Sequence, residues 1–332
     1  MKRLLVSSVV ALVATLSLNM SWAADKNFKL ALQNPKGHPL EMGAAKFAEL
    51  VDSKSNGSMS VKVFAGGVLG GDAQNVSSLQ GGTLDMVVLN SGILASQVPD
   101  FTVYDFPFMF GSAEEVDKIV DGEFGKALHA KLEDKGIIGL TYWELGFRDM
   151  TNSKHPINKV EDIKGLKLRV IPNAINVDWV TALGANPTPL PFPEVYTALE
   201  QKAIDGQENP LTVIAANKFY EVQKHLTITH HQYNPQSAIF SKKVWDKLTP
   251  EQQTIIRESA IEAGLYERGV AREKSASALE ELKTAGMEVT ELPPEEVAKM
   301  RELMKPIIEK YADVAGKETV DKLQSELATL RK

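Results

Sequence analysis

From residue 251 to about residue 285 the chain carries one unbroken helical pattern, with Ile255, Ile256, Ala260 and Ala263 at core spacing. A helix of about 35 residues runs roughly 50 Å, which is longer than one small domain is wide. Such an element suits a chain of two lobes, along both of which it lies. The length agrees: at roughly 150 residues per domain, 332 residues suffice for two.

Residues 1–23 read as an export signal, with Lys2 and Arg3, an apolar run over 4–18, and the small residues Ser21 and Ala23 placed for cleavage. The apolar run is short against the roughly 20 residues of a membrane span, so removal after Ala23 is expected and a retained anchor is not. The expected location is the periplasm. Loss of Lys2 and Arg3 leaves 35 basic against 43 acidic residues, a net charge near −8. That balance argues against nucleic acid or an anionic membrane surface as a partner. An anionic ligand would have to be captured by a local cationic site. Cysteine is absent, which rules out disulfides, thiolate nucleophiles and Cys-held metals.

The densest functional signal lies in residues 165–210. Alternation over 166–171 predicts a short strand with Leu168 and Val170 on one face and Lys167 and Arg169 on the other. Pro172 stops it, Asn173 is placed to cap a helix over 174–183, and Gly184 ends that helix. A turn-rich segment, 186–191, then leads to a second helix with Pro193 at its first position, and the chain reaches a polar loop, 207–210. Arg169 thus stands at the carboxyl end of a strand, where open α/β sheets place ligands. Its guanidinium presents paired donors matching a carboxylate, with Asn209 as a neutral donor beside it and Phe192 as an apolar wall. An ordinary surface arginine at a strand end fits the spacing equally well.

Upstream, strands are expected over 28–33, 60–64 and 84–89, with helices over 38–53 and 74–80. The glycines of 66–71 match neither phosphate-loop spacing and read as turns. Asn90, Ser91 and Gly92 follow the third strand; with Gln33 they could line the wall opposite Arg169, although a helix cap or a turn explains them as well. The aromatic run 98–112 reads as packing. A helix follows over 114–132, then a strand over 137–143 and, at its end, Glu144 and Arg148, with Glu144 either meeting a ligand hydroxyl or making a plain salt bridge. Later strands are expected over 226–231, 236–241 and 287–290, with closing helices over 294–316 and 319–330. His230 and His231 would face opposite sides of a strand, which disfavours a metal pair.

The segments KGLKLRV, GANPTPLPF, EVYTALEQKAIDGQENP and KFYEVQKHLTITHH, in this order, resemble the substrate-binding subunits of TRAP transporters (tripartite ATP-independent periplasmic transporters, DctP type), and the likeness covers essentially the whole mature chain. The resemblance implies an α/β, two-lobed periplasmic binding protein fold of the type II kind, each lobe a sheet flanked by helices, with the long helix spanning both. The lobes would comprise 24–146 with about 235–274, and 147–234 with about 275–332. It implies that Arg169 clamps a ligand carboxylate with Asn209 and Phe192 beside it, and that Arg148, in its GFR context, is a second nearby cation. The implied partners are a small organic acid and the small and large integral membrane subunits of an ion-driven transporter. A monomer without cofactor or metal is expected.

A secreted hydrolase is the enzyme alternative, but no GxSxG, HExxH or catalytic cysteine is present. A sensor input feeding a receptor is the third reading. Against sialic acid as ligand, Asn90 and Ile93 stand where its binders carry an acid and a base, and Pro172 where they carry an asparagine, with Asn173 one place on. Gln33, Asn90 and Glu144 favour a hydroxylated acid such as a uronate, with a four-carbon dicarboxylate or an aromatic acid open.

Overall fold

The computed structural model describes residues 26–332, so the expected export signal lies outside the described residues. The first lobe begins with β1 (Lys26–Leu32), α1 (Pro39–Lys54), β2 (Met59–Phe64), α2 (Asp72–Gly81) and β3 (Met86–Asn90), three parallel strands joined by helices. α1 starts where Pro39 fixes the first turn and the His38 ring nitrogen accepts the Leu40 amide at 3.1 Å. Two 3₁₀ segments follow, Ser91–Ser96 and Pro99–Asp105, the second of which opens the aromatic run. Phe101, Tyr104, Phe106 and Phe110 are buried in one cluster, the packing role expected of them. The helix expected over 114–132 divides at Gly122 into α3 (Ala113–Asp121) and α4 (Glu123–Ala130).

β4 (Ile137–Asn152) is more than twice as long as the strand read from the sequence, because three irregularities interrupt its register without ending it. The second lobe is built from β5 (Lys167–Val170), α5 (Ala174–Ala182), β6 (Asn186–Pro189), α6 (Val195–Glu200) and β7 (Gly206–Asn209). Two of these correct the sequence reading. The proline-rich segment pairs with β5 as an edge strand, the position at which missing amides are tolerated. The polar loop is a buried strand between β5 and β4. Its side chains satisfy one another: Gln207 donates to Thr151 Oγ1 at 2.9 Å, and Asn209 donates to Gln207.

After α7 (Leu211–Ala216), β8 (His225–Ser241) runs as one strand where two were expected. It pairs along β4 and joins β3 at one end and β9 at the other, so the ladder β2-β1-β3-β8-β4-β7-β5-β6 is continuous. The strands of the two lobes are therefore continuous through the long antiparallel pair β4–β8. α8 (Lys242–Trp245) leads to α9 (Pro250–Thr284), the 35-residue helix, opened by a Thr249–Gln252 capping box. α9 buries Ala260 and Ala263 with the α1 cluster and Ala278 and Leu282 with the α6–α7 cluster, thereby spanning both lobes. The chain closes with β9 (Glu288–Glu291), α10 (Pro294–Ala315) and α11 (Lys317–Leu330). α11, expected with the second lobe, packs against α3 of the first and buries Val320, Leu323 and Leu327 in the first-lobe cluster. α10 bridges, with Met300 and Met304 in the α5 cluster and Tyr311 in that of α3.

Candidate functional site

A cavity of about 520 Å³ lies where the carboxyl ends of β1, β3 and β5 meet the crossing strands β4 and β8. That volume falls in the range of small-molecule sites, roughly 300–1,000 Å³. Gln33, Asn90, Arg148, Arg169, Phe192 and Asn209 all line it. The lobes touch at its mouth, where a side chain on Gly67 would meet Pro193 at 2.8 Å and one on Gly71 would meet Pro191 at 3.2 Å.

Arg169 is the second lobe's contribution. The β5 alternation sets it on the face opposite Leu168, yet it is only 2 % exposed, because β6 and the following turn fold over it. Its Nε and Nη2 donate to the Leu190 carbonyl at 3.0 and 2.8 Å, and its guanidinium carbon lies 5.8 Å from the Phe192 ring centroid. Among the described residues no carboxylate pairs with it within 4.0 Å. Burial lowers its pKa to about 10, with Glu208 and Asp72 opposing and Arg148 adding to the fall. At neutral pH it remains a cation, held in place by a backbone oxygen.

Arg148 lines the same cavity but is already occupied. It reaches Glu208 through Nε and Nη2, and Asn234 Oδ1 through Nη1 at 2.9 Å. His231 stands on the other side of Glu208 at 3.3 Å. Burial would raise the Glu208 carboxyl, yet Arg148 and His231 hold it at about 2. Sequence reasoning passed over Glu208; period-2 alternation next to Asn209 would have put it on the face opposite the ligand donor.

The first lobe supplies amides and an acid. Gln33 donates to the Gly70 carbonyl at 3.1 Å, and Asn90 accepts the Gly92 amide at 2.9 Å. Gln236 lies directly opposite Asn90 in the β3–β8 pairing. Asp72, also on the lining, opens α2 directly after Gly70 and Gly71. Burial pushes its carboxyl up to about 6, with Gln33 and Arg169 pulling the other way. Neither Asp72 nor Gln236 was singled out from the sequence; an acid opening a helix after paired glycines was the available signal.

Glu144 and Asn173 face elsewhere. Glu144 accepts from Arg272 Nε at 2.9 Å, and its amide donates to Glu267 on α9. Glu144 makes the plain salt bridge, and it is Leu145, at the irregularity between Glu144 and Gly146, and Arg148 beyond it that line the cavity. Asn173 occupies the N-cap position of α5 without capping it. Its amide instead crosses to the first lobe, donating to Asp105 Oδ2 at 2.7 Å and the Gly92 carbonyl at 3.1 Å. Ser91 bonds Ser237 at 2.8 Å behind the wall. Of the histidines, His231 is buried beside Glu208 and His230 points outward at 58 % exposure.

Residues 30–313 match the DctP family model, described as bacterial extracellular solute-binding protein, family 7. The chain belongs to the DctP family of TRAP solute-binding proteins. This DctP-family protein is 37 % identical over 273 residues to the 2,3-diketo-L-gulonate-binding periplasmic protein YiaO of Escherichia coli, covering 82 % of this chain and 83 % of YiaO. Among solved structures, it resembles a TRAP periplasmic solute-binding protein of Ochrobactrum anthropi, whose own C-terminus is bound in its ligand-binding pocket. There the identity is 53 % and the TM-score 0.82, over 93 % of this chain and 97 % of that one. It also resembles the sugar acid binding protein DctPAm of Advenella mimigardefordensis in complex with galactonate, at 40 % identity and a TM-score of 0.90, over 91 % and 98 % of the two chains. Among the described residues no helix is long and apolar enough to cross a membrane, and no group of three or more acidic or histidine side chains could hold a metal.

Proposed function

We propose that this protein is an exported, monomeric receptor that captures a hydroxylated organic acid by closure of its lobes and delivers it to TRAP membrane subunits. The observation that carries the reading is Arg169: a buried guanidinium on a cavity wall, positioned by the Leu190 carbonyl and without a carboxylate partner among the described residues. A ligand carboxylate meets this cation and the Asn209 amide at one wall, and the other lobe swings over the rest of the molecule. Excluding water strengthens the ion pair, since the same charges attract more in a lower dielectric. The galactonate bound by DctPAm and the diketogulonate named for YiaO are both hydroxylated acids, which favours a sugar acid here. No bond of the ligand is broken in this scheme; binding and release are the whole task.

Melting curves across a panel of sugar acids, dicarboxylates and aromatic acids test it. A cognate acid at a hundred times its dissociation constant stabilises the fold by about 2.7 kcal/mol and is recovered unchanged. A panel in which no acid moves the melting temperature, or in which an acid is consumed, defeats the proposal.

A further inference from the structure

Four polar atoms on the first-lobe wall are buried without a hydrogen-bond partner among the described residues: Gln33 Oε1, Asp72 Oδ1, Asn90 Nδ2 and Gln236 Nε2. All four residues line the cavity that Arg169 enters from the other lobe. Buried polar groups without partners are rare in folded proteins and are costly to leave unmet. Bonds at their other ends fix two of the amides. Gln33 gives its Nε2 to Gly70, so Oε1 is the end left over; Asn90 gives its Oδ1 to the Gly92 amide, so Nδ2 is. The wall therefore presents two acceptors and two donors.

We infer that this wall is a hydroxyl-reading subsite, with Asp72 as the residue that confines the ligand to one carboxylate. The inference rests on the carboxylate reading of Arg169 and specifies the other end of the ligand. A hydroxyl both donates and accepts, so a chain of hydroxyls can satisfy all four atoms. A second ionised carboxylate only accepts. It can pair with Asn90 and Gln236 but leaves Gln33 Oε1 and Asp72 Oδ1 buried and unmet.

Charge points the same way. Glu208 pairs with Arg148 within the site, so among the described residues Arg169 is the lining arginine without a paired carboxylate, and Asp72 is an acid on the same lining without a paired cation. One ligand carboxylate matches Arg169. A second would face Asp72 across a site closed to water, and like charges there cost several kcal/mol of discrimination in general. Glu194, the other acid on the lining, lies at the exposed rim and adds to the same sign.

Calorimetry at pH 7.5 with matched pairs tests the assignment: galactonate against galactarate, gluconate against glucarate, erythronate against meso-tartrate, with succinate alongside. Each pair shares its secondary hydroxyls and differs at the terminal carbon, a hydroxymethyl group in one member and a carboxylate in the other. The best aldonate is expected to bind at least about a hundredfold tighter than its dicarboxylic partner. In Asp72→Asn that ratio should shrink at least about tenfold while the aldonate still binds. Equal wild-type affinities within the best pair, a preference for succinate, or an unchanged ratio in Asp72→Asn would overturn the subsite and leave the Arg169 reading standing. A wild-type protein that binds no member of the panel overturns both. The wild-type ratio decides the matter alone if the variant fails to fold.

Discussion

Arg148 faces the ligand cavity, but its guanidinium belongs to Glu208. Nε and Nη2 both reach the Glu208 carboxylate, the Nη2 contact to Oε1 measuring 2.9 Å, and Nη2 also reaches the Glu208 carbonyl. Both side chains are almost wholly buried, at 1 % and 2 % exposure. The pair joins β4 to β7 at the point where β4 enters the second lobe. Of the two arginines at the site, only Arg169 is thereby left for a ligand anion.

Removing one half of this pair leaves a buried charge unmatched. Glu208→Gln is expected to cost about 3–5 kcal/mol, read as a lower urea midpoint at pH 7. The pH dependence has a definite sign. Burial raises the Glu208 carboxyl, but Arg148 and His231 outweigh it and hold it at about 2, below its ordinary 4.5. A folded value below the unfolded one gives stability that is complete above about pH 4.5 and lost as pH falls towards 2. The gap between wild type and Glu208→Gln should therefore close across that window. Parallel stability curves down to pH 2 would contradict it.

Arg169→Ala should abolish calorimetric binding of the cognate acid. A ligand carboxylate would then be buried unpaired, a loss of about 3–5 kcal/mol, or two to four orders of magnitude in affinity. Arg169→Lys should retain weak binding with relaxed selectivity, since an ammonium keeps the charge but not the planar fork or the contact with Phe192. Near-native affinity in Arg169→Ala would remove the cation from the account.

The sequence made the long helix, the three parallel strands of the first lobe and the strand bearing Arg169 legible, because each shows the periodicity of its own element. β7 escaped because its residues are polar and yet buried. Burial of Gln207, Glu208 and Asn209 is sustained by Thr151 and Arg148, partners some 56 to 60 residues away that no local window contains. β8 was read as two strands because the residues between them, Gln232 to Pro235, are mostly polar and end in a proline. They are buried all the same, through bonds such as Gln232 to the Asp105 carbonyl and Asn234 to Arg148. Asn173 carried a capping signature and sits at the cap position, but its side chain had a stronger acceptor across the cleft in Asp105. In each case a tertiary partner outweighed the local rule.

Two glycines of α9 should respond oppositely to alanine. At Gly264 a methyl group would sit 2.6 Å from the Trp143 ring, in the seam between α9 and β4. Overpacking of that kind costs about 1–3 kcal/mol. At Gly269 nothing lies within 4 Å of the added carbon. There the helix gains the preference of alanine over glycine, about 0.5–1 kcal/mol. Thermal melts should separate the two in sign; a stabilising Gly264→Ala would mean that α9 does not pack as closely on Trp143 as the structure places it.

Asn173 ties the lobes together without lining the cavity. It donates from the start of α5 to Asp105 and to the Gly92 carbonyl, both in the first lobe, and Asn176 adds a bond to Asp105 at 3.2 Å. Burial pushes the Asp105 carboxyl up to about 6, against the pull of Asn173 and Arg148, so loss of a donor leaves this acid less well met. Asn173→Ala should weaken ligand affinity by about 1–3 kcal/mol although it lies off the cavity lining. The loss should fall on the dissociation rate, since the bonds hold the closed form and not the open encounter. Stopped-flow measurements distinguish this from a change in the pocket: an altered association rate with unchanged dissociation would rule out the interlobe tie.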